Sequence, residues 1–573
     1  MELSEAIEIT RVRDAFMRKG PRPSQQGELC IFGHHLIFAP SGTETSKSGE
    51  NPSEEFWILH RAIDRVLCEP VSKEYPSKGG LLALKCKNFL IIIFEVANLE
   101  HCKAAARSIE ALSNLNGIVH DYPFFYQVPF NVLDDGWISF DVEQEFARLS
   151  LLTDAFRISR VNEHFSICPS YPTTVIVPKG IGDDYLRISA TFREGGRFPV
   201  FCYYHNLTKS VIMRCGQPLI GPTNRRCRED EVIINSLLTI SKGFIIDTRS
   251  KTVANAAKAK GGGTEPQGCY AQFRYVHCAT PRIKEMHDAL ARMVEACNDG
   301  SVSTDKWLMR LSNSGWLQCI SDCLNSAANV AQCVHCESNR EVPVIVHGGE
   351  GTDTTLITTS LAQLILDSDA RTIRGFESLI EREWITAGHP FRLRNAHGAF
   401  AAGLNTGQYE SPVFLVFLDC VHQLLSQFPL TFEFTESFLI FLFEHAYASE
   451  FGSFLGNNEK EKFKNEVKKR TVSLWSYIHH PETLRQFINP LYDPRPKVLW
   501  PTVAPQSILI WERLFFRWQR DWAEIDGIRS SSEHWKLRER SLMSRAAVLR
   551  GVTIELSKEA ANQNVNGVIG ISQ

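Results

Sequence analysis

The stretch that most constrains this chain is Val344-Ile345-Val346-His347-Gly348-Gly349-Glu350-Gly351-Thr352-Asp353-Thr354-Thr355. A β-branched run feeds a glycine-rich turn. Thr354-Thr355 then open a helix whose apolar residues recur at Leu356-Ile357, Leu361 and Leu364-Ile365. Strand, loop and helix in this order aim the N–H groups of the loop and the helix N-terminus at one point, which suits an anion. A nucleotide-binding Walker loop needs lysine before its Ser/Thr. Asp353 stands there instead, so nucleotide binding is not expected.

The other loop of this shape is His-Cys-x5-Arg-Ser/Thr. Its thiolate, with a pKa lowered by the helix N-terminus, attacks phosphorus while arginine grips two phosphate oxygens. In this register Gly348 stands at the nucleophile position and Thr354 at the arginine position, while His347, Gly351, Asp353 and Thr355 keep the frame. None of the 16 cysteines has an arginine six residues later, so the motif has not moved elsewhere. Losing one member of a nucleophilic unit costs on the order of a million-fold in turnover, and losing a phosphate-clamping arginine roughly a thousand-fold. The losses do not add, but either suffices, and no catalytic residue is expected here.

Further motifs flank the loop: Arg197-Phe198-Pro199-Val200, Tyr203-Tyr204-His205 and Met213-Arg214-Cys215-Gly216-Gln217-Pro218-Leu219 upstream. Downstream come Gly375-Phe376-Glu377-Ser378-Leu379-Ile380-Glu381-Arg382-Glu383-Trp384, Gly388-His389-Pro390-Phe391 and Phe451-Gly452-Ser453-Phe454-Leu455. With them, roughly residues 20 to 520 resemble the myotubularin-related lipid phosphatases, whose loop reads His-Cys-Ser-Asp-Gly-Trp-Asp-Arg-Thr. Gly348, Gly349, Glu350, Thr352 and Thr354 depart from that pattern, which points to the inactive branch of the family.

The resemblance implies a mixed α+β and α/β chain. Residues 1–120 would form a PH-like (GRAM) β-module, and residues 121–525 an inactive cysteine-phosphatase-fold α/β domain with many helices. It also implies a regulatory subunit that pairs with an active myotubularin. Such a subunit would raise the partner's removal of the 3-phosphate from phosphatidylinositol 3-phosphate and 3,5-bisphosphate. Two alternatives stay open: a module that binds phosphoinositides without hydrolysis, and a weak residual phosphatase.

The chain is long enough, at 573 residues and 43% apolar, for two or three cored domains. A formal charge of −3 argues against nucleic acid as partner. An acidic N-terminus without an apolar stretch, and cysteines without framework spacing, point to a cytoplasmic protein, and the resemblance implies peripheral association with endomembranes.

In the first module the spacing predicts strands at Gly27–Phe38, Glu55–Leu59, Arg65–Cys68, Leu81–Cys86 and Phe89–Glu95, then a helix capped by Asn98. The polar Ser41–Ser53 stretch reads as an exposed loop. The module either docks on inositides or a small GTPase, or packs against the larger domain. In that domain strands alternate with helices and place the loop at the carboxyl end of a strand. One helix is predicted over Thr372–Ala387, a solvated stretch over Asn457–Arg470, and a helix carrying Trp511, Trp518 and Trp522. Gly527-Ile528-Arg529-Ser530-Ser531-Ser532 reads as a linker.

Beyond it Trp535, Leu542, Leu549 and Leu556 recur every seven residues. The second seam is poor (Arg538, Arg545, Val552 or Glu539, Ala546, Thr553). Residues 531–560 are thus a candidate partner-binding coiled coil, with an ordinary amphipathic helix as the alternative, and residues 561–573 a disordered tail.

Four constellations remain. Cys319, Cys323, Cys333 and Cys336 mimic zinc spacing but lie on one predicted helix, so core cysteines rather than a metal or other cofactor are expected. Arg225, Arg226 and Arg228 with Glu229, Asp230 and Glu231 are assigned to a carboxylate network beneath the loop, with a lipid headgroup as the alternative. Asp353 corresponds to the proton donor of active relatives and here reads as a helix cap, and His347 as a residue that orients the loop. Lys251, Lys258 and Lys260 form either a membrane-facing patch or a solvated helix face.

Overall fold

The structure is a computed structural model that describes residues 3–569, apart from 21–22, 42–54, 73–78, 240–241, 337–340, 402–408, 495–496 and 521. Most of the polar loop expected at 41–53 therefore lies outside the described residues.

Seven antiparallel strands form the first module: β1 (Arg11–Lys19), β2 (Gln25–Ile31), β3 (His35–Pro40), β4 (Phe56–Leu59), β5 (Ile63–Pro70), β6 (Gly80–Cys86) and β7 (Ile91–Val96). Their order is β4-β3-β2-β1-β7-β6-β5, and β1 is not among the strands that the spacing predicts. Helix Leu99–Ser113 closes the sheet with Cys102, Ala105, Ile109 and Leu112 buried, and Asn98 caps it by accepting from the N–H groups of Glu100 and His101. The β6–β7 hairpin holds Phe89 at φ 70, a left-handed conformation that L side chains rarely adopt. That geometry drives its ring between Phe443 and Phe515 of the larger domain, 5.5 and 5.6 Å away. Asp64 accepts from the N–H groups of Gly398 and Phe400, and the Trp518 indole donates to Asn88 O. The module thus packs firmly on the larger domain, one of the two roles the sequence left open.

The second domain opens with a short antiparallel pair, β8 (Phe156–Ser159) and β9 (Val175–Pro178). Its main sheet contains β10 (Val200–His205), β11 (Ser210–Cys215), β12 (Gly243–Asp247), β13 (Phe273–His277) and β14 (Pro343–His347). They run in the order β10-β11-β14-β12-β13, with only β10 antiparallel. A central parallel strand is covered on both faces, so every residue of β14 is buried. Helix Thr354–Leu366, which follows the loop, is buried from Thr355 to Leu366, so it too is enclosed.

Several expectations need correction. Thr372–Ala387 is not one regular helix but Ile373–Ile380 followed by a π-helical turn, Glu381–Ile385. Asn457–Arg470 is not simply solvated: it folds into helices Glu459–Lys464 and Val467–Arg470, with Lys462 and Val467 buried as anchors. Trp511 and Trp518 do not share a helix with Trp522. Only Glu512–Phe515 is helical there, and Trp511 is fully buried before it. The supposed linker at 527–532 lies inside one helix, Ala523–Ile569, which also runs through most of the expected disordered tail. A single glycine costs a helix only about 1 kcal/mol, and no proline interrupts this segment. Residues 570–573 lie outside the described residues.

Candidate functional site

The loop grows from the buried end of β14. His347 is fully buried, with Nδ1 3.2 Å from Gly348 O and Nε2 3.0 Å from Glu265 Oε2. Burial opposes its charge, but the Glu265 and Asp247 carboxylates outweigh this and raise its pKa. These contacts hold His347 in place at the root of the loop. Gly351 has φ +81, and a Cβ there would stand 2.5 Å from Cys215 O, so the close backbone approach admits only glycine.

Buried arginines hold this frame. Arg193 donates to Asp230 at 2.9 and 2.6 Å and to Glu265 at 2.6 Å, with every side chain in the cluster essentially inaccessible. Ser189 and Tyr270 donate further bonds to Asp230. Arg197 donates to Gly351 O, Ser170 Oγ and Ala387 O at 3.0, 2.7 and 2.9 Å. Arg249 is clamped on Asp247 at 2.9 and 2.8 Å. A carboxylate network lies beneath the loop, but its cations are not Arg225, Arg226 or exposed Arg228. Arg225 is exposed, and Arg226 forms a surface pair with Glu231. Of that acidic stretch only Asp230 belongs to the buried cluster. Sequence reasoning missed Arg193, Arg249 and Glu265 because nothing in their local pattern distinguishes them.

The two positions that define the chemistry are closed by hydroxyl groups. The Thr248 and Thr354 hydroxyl oxygens lie 2.8 Å apart. A Cβ on Gly348 would meet them at 2.6 and 3.1 Å, and Thr355 Oγ1 at 3.2 Å. Thr355 Oγ1 is itself buried without a hydrogen-bond partner. Asp353 makes no side-chain cap to the helix, contrary to the sequence expectation. Its carboxylate instead receives two bonds of 2.8 Å from Arg394, a bidentate charged pair stronger than a single amide contact. Burial raises its pKa, but Arg394 and then His389 pull it down to a net lowering. His389 Nδ1 donates to Thr352 O at 2.8 Å, and burial brings its pKa down to about 4. Glu350 is exposed and, with Arg394, lines clefts of about 750 and about 730 Å³ on either side of the loop. Gly349 borders the first and Thr352 the second.

Restoring the missing pair with G348C/T354R should therefore fail, because Thr248 still occupies the new side chain's space. Adding T248A should recover orthovanadate binding before any turnover, since catalysis needs placement within a fraction of an ångström. Calorimetric titration beside a soluble-phosphoinositide assay tests this; double-variant turnover matching an active phosphatase would refute it.

The other predicted positions do not join the loop. Trp535, Leu542, Leu549 and Leu556 lie on the terminal helix, 64, 58, 59 and 59% exposed, and Ile528 extends the interval by one step. Cys319 and Cys323 are buried on the core side of helix Trp316–His335, while Cys333 and Cys336 are half-buried. Lys251 and Lys260 are exposed and Lys258 half-buried along helix Lys251–Ala259.

Comparison with known proteins agrees with this architecture. Residues 121–463 match the family described as Myotubularin-like phosphatase domain, and residues 7–113 that described as MTMR6-9, GRAM domain. Myotubularin-related protein 9 of Caenorhabditis elegans is 65% identical over 98% of this chain and 99% of its own. The human protein of that name is 46% identical over 98% of this chain and all of its own. Phosphatidylinositol-3,5-bisphosphate 3-phosphatase MTMR2 of Mus musculus is 37% identical over 67% of this chain and 59% of its own.

Proposed function

The chain belongs to the myotubularin family, and we propose that within it the protein is a catalytically inert regulatory subunit. It binds an active myotubularin phosphatase and raises that partner's removal of the 3-phosphate from phosphoinositides. The observation that carries the reading is the state of position 348. It has no thiol, and the space for one is taken by the Thr248 and Thr354 hydroxyls. Thr354 supplies no guanidinium, and the nearby Arg394 is committed to Asp353. The arginine–carboxylate frame beneath the loop is nevertheless complete, which suits a domain kept for its fold and surfaces rather than for turnover. The exposed leucines of the terminal helix supply the partner contact. The first module brings the complex to inositide-bearing endomembranes from the cytoplasmic side.

The purified chain is expected to release no phosphate from phosphatidylinositol 3-phosphate above buffer, even at high protein concentration. Mixed with an active myotubularin, it should raise that enzyme's turnover. Turnover by the chain alone that disappears with D353A or H347A would overturn the inert reading. An unchanged rate in the mixture would overturn the regulatory one.

A further inference from the structure

We infer that residues 459–470 form a second membrane contact, on the phosphatase-fold domain, which docks on an anionic lipid surface. Phe463 enters the boundary between headgroups and acyl chains, and the surrounding lysines meet the lipid charge. This inference does not depend on the inert or regulatory reading above.

The segment is built to hold its shape. Asn458 caps helix Glu459–Lys464 by accepting from Glu461 N–H at 2.9 Å, and the Glu461 carboxylate accepts from Asn457 N–H at 2.7 Å. Lys462 is buried and donates to Ser453 O, and Val467 is buried in the next helix. Phe463, next to the buried Lys462, is turned outward and 75% exposed. Among the described residues its one ring neighbour is Phe165, at 6.2 Å. A phenyl ring this open forgoes the burial that ordinarily stabilises it and would gain from any apolar phase that covers it.

Charge identifies that surface. From residue 460 to 470 the exposed ionised side chains are Lys460, Lys464, Lys468, Lys469 and Arg470 against Glu466 alone. Glu466 is already paired with Lys469 at 3.1 Å, and Arg470 lies over the Phe124 ring. A chain with a net charge of −3 thus carries five exposed cations within seven positions of one protruding aromatic ring. Exposed Glu163, near Phe165, is the acid closest along the chain to the ring's neighbour. The apolar surface continues beside it: Leu393 N–H donates to Asn457 Oδ1 at 2.9 Å, and exposed Leu393 and Tyr409 line the cleft of Asn457, Asn458 and Glu350. An outward phenyl ring with long cations on either side in sequence matches a fluid anionic interface, where the ring inserts and the cations meet headgroup charge.

The test is co-sedimentation of the full-length chain with phosphatidylcholine vesicles, with and without phosphatidylserine. The parent should bind the phosphatidylserine vesicles and be released by salt. K460A/K464A should bind about twenty-five-fold more weakly, at about fivefold per lysine. F463A should lose about tenfold, while F463W, which keeps an interfacial aromatic, should bind like the parent. These side chains are exposed, so melting temperatures should stay at the parental value. A parent indifferent to phosphatidylserine overturns the inference. So do F463A and K460A/K464A variants that bind as the parent does, which would leave all vesicle binding to the N-terminal module. Intact vesicle binding by F463A with loss of a bound protein would make this a protein site, and the inference would equally fail.

Discussion

Replacing Arg193 with glutamine should destabilise the protein by about 3–5 kcal/mol, because the change strands two buried carboxylates. Asp230 and Glu265 are both buried, and Arg193 gives them three bonds of 2.6 to 2.9 Å. Glutamine offers one amide group where a fork of five donors stood. The loss passes directly to the loop, since Glu265 is also the partner of His347. Differential scanning fluorimetry should show a fall on the order of 10 °C. R193K keeps the charge without the fork and should fall between parent and R193Q. A melt of R193Q within a degree or two of the parent would show that the cluster is dispensable.

The second large effect concerns assembly. Truncation after Ser530 should abolish recovery of an active myotubularin partner while leaving both folded domains intact. A flexible linker is not the reason, since Gly527 and Ser530 to Ser532 continue the helix. The reason is that the side chains described between Trp535 and Lys558 are exposed, so their removal opens no core. Arg540 ties the helix back to the body at the surface, through Asp493 and Leu491 O. Leu542, Leu549 and Leu556 repeat on one face, but the second seam is either Arg538, Arg545 and Val552 or Glu539, Ala546 and Thr553. Self-pairing would bury little there, so a partner bringing larger apolar residues is favoured. L542D/L549D should weaken binding about 100-fold or more, at roughly 1.5–3 kcal/mol for each leucine taken out of an interface. Co-purification of the partner with full-length and truncated chains, with circular dichroism to verify the truncated fold, tests the claim. Undiminished recovery with the truncated chain would move the contact to the phosphatase-fold domain.

Much of this protein was determined by local pattern. β4, β6, β14 and the helix capped by Asn98 lie where composition and periodicity put them, because strand and helix repeats are written within a few residues. The family and the absence of thiol and guanidinium from the loop are likewise facts of the linear chain. Tertiary structure decided what now occupies the loop and what holds it. Thr248 reaches Thr354 across 106 residues, Arg193 reaches Glu265 across 72, and Arg394 reaches Asp353 across 41. No periodicity encodes such meetings. The same cause reversed two local readings: the Asp353 carboxylate turned from the helix end it still caps by its backbone to a charged partner brought by the fold, and Trp511 became core rather than part of a helix. Where a side chain's strongest partner lies far along the chain, burial and charge pairing outweigh local preference, and only the folded arrangement can name that partner.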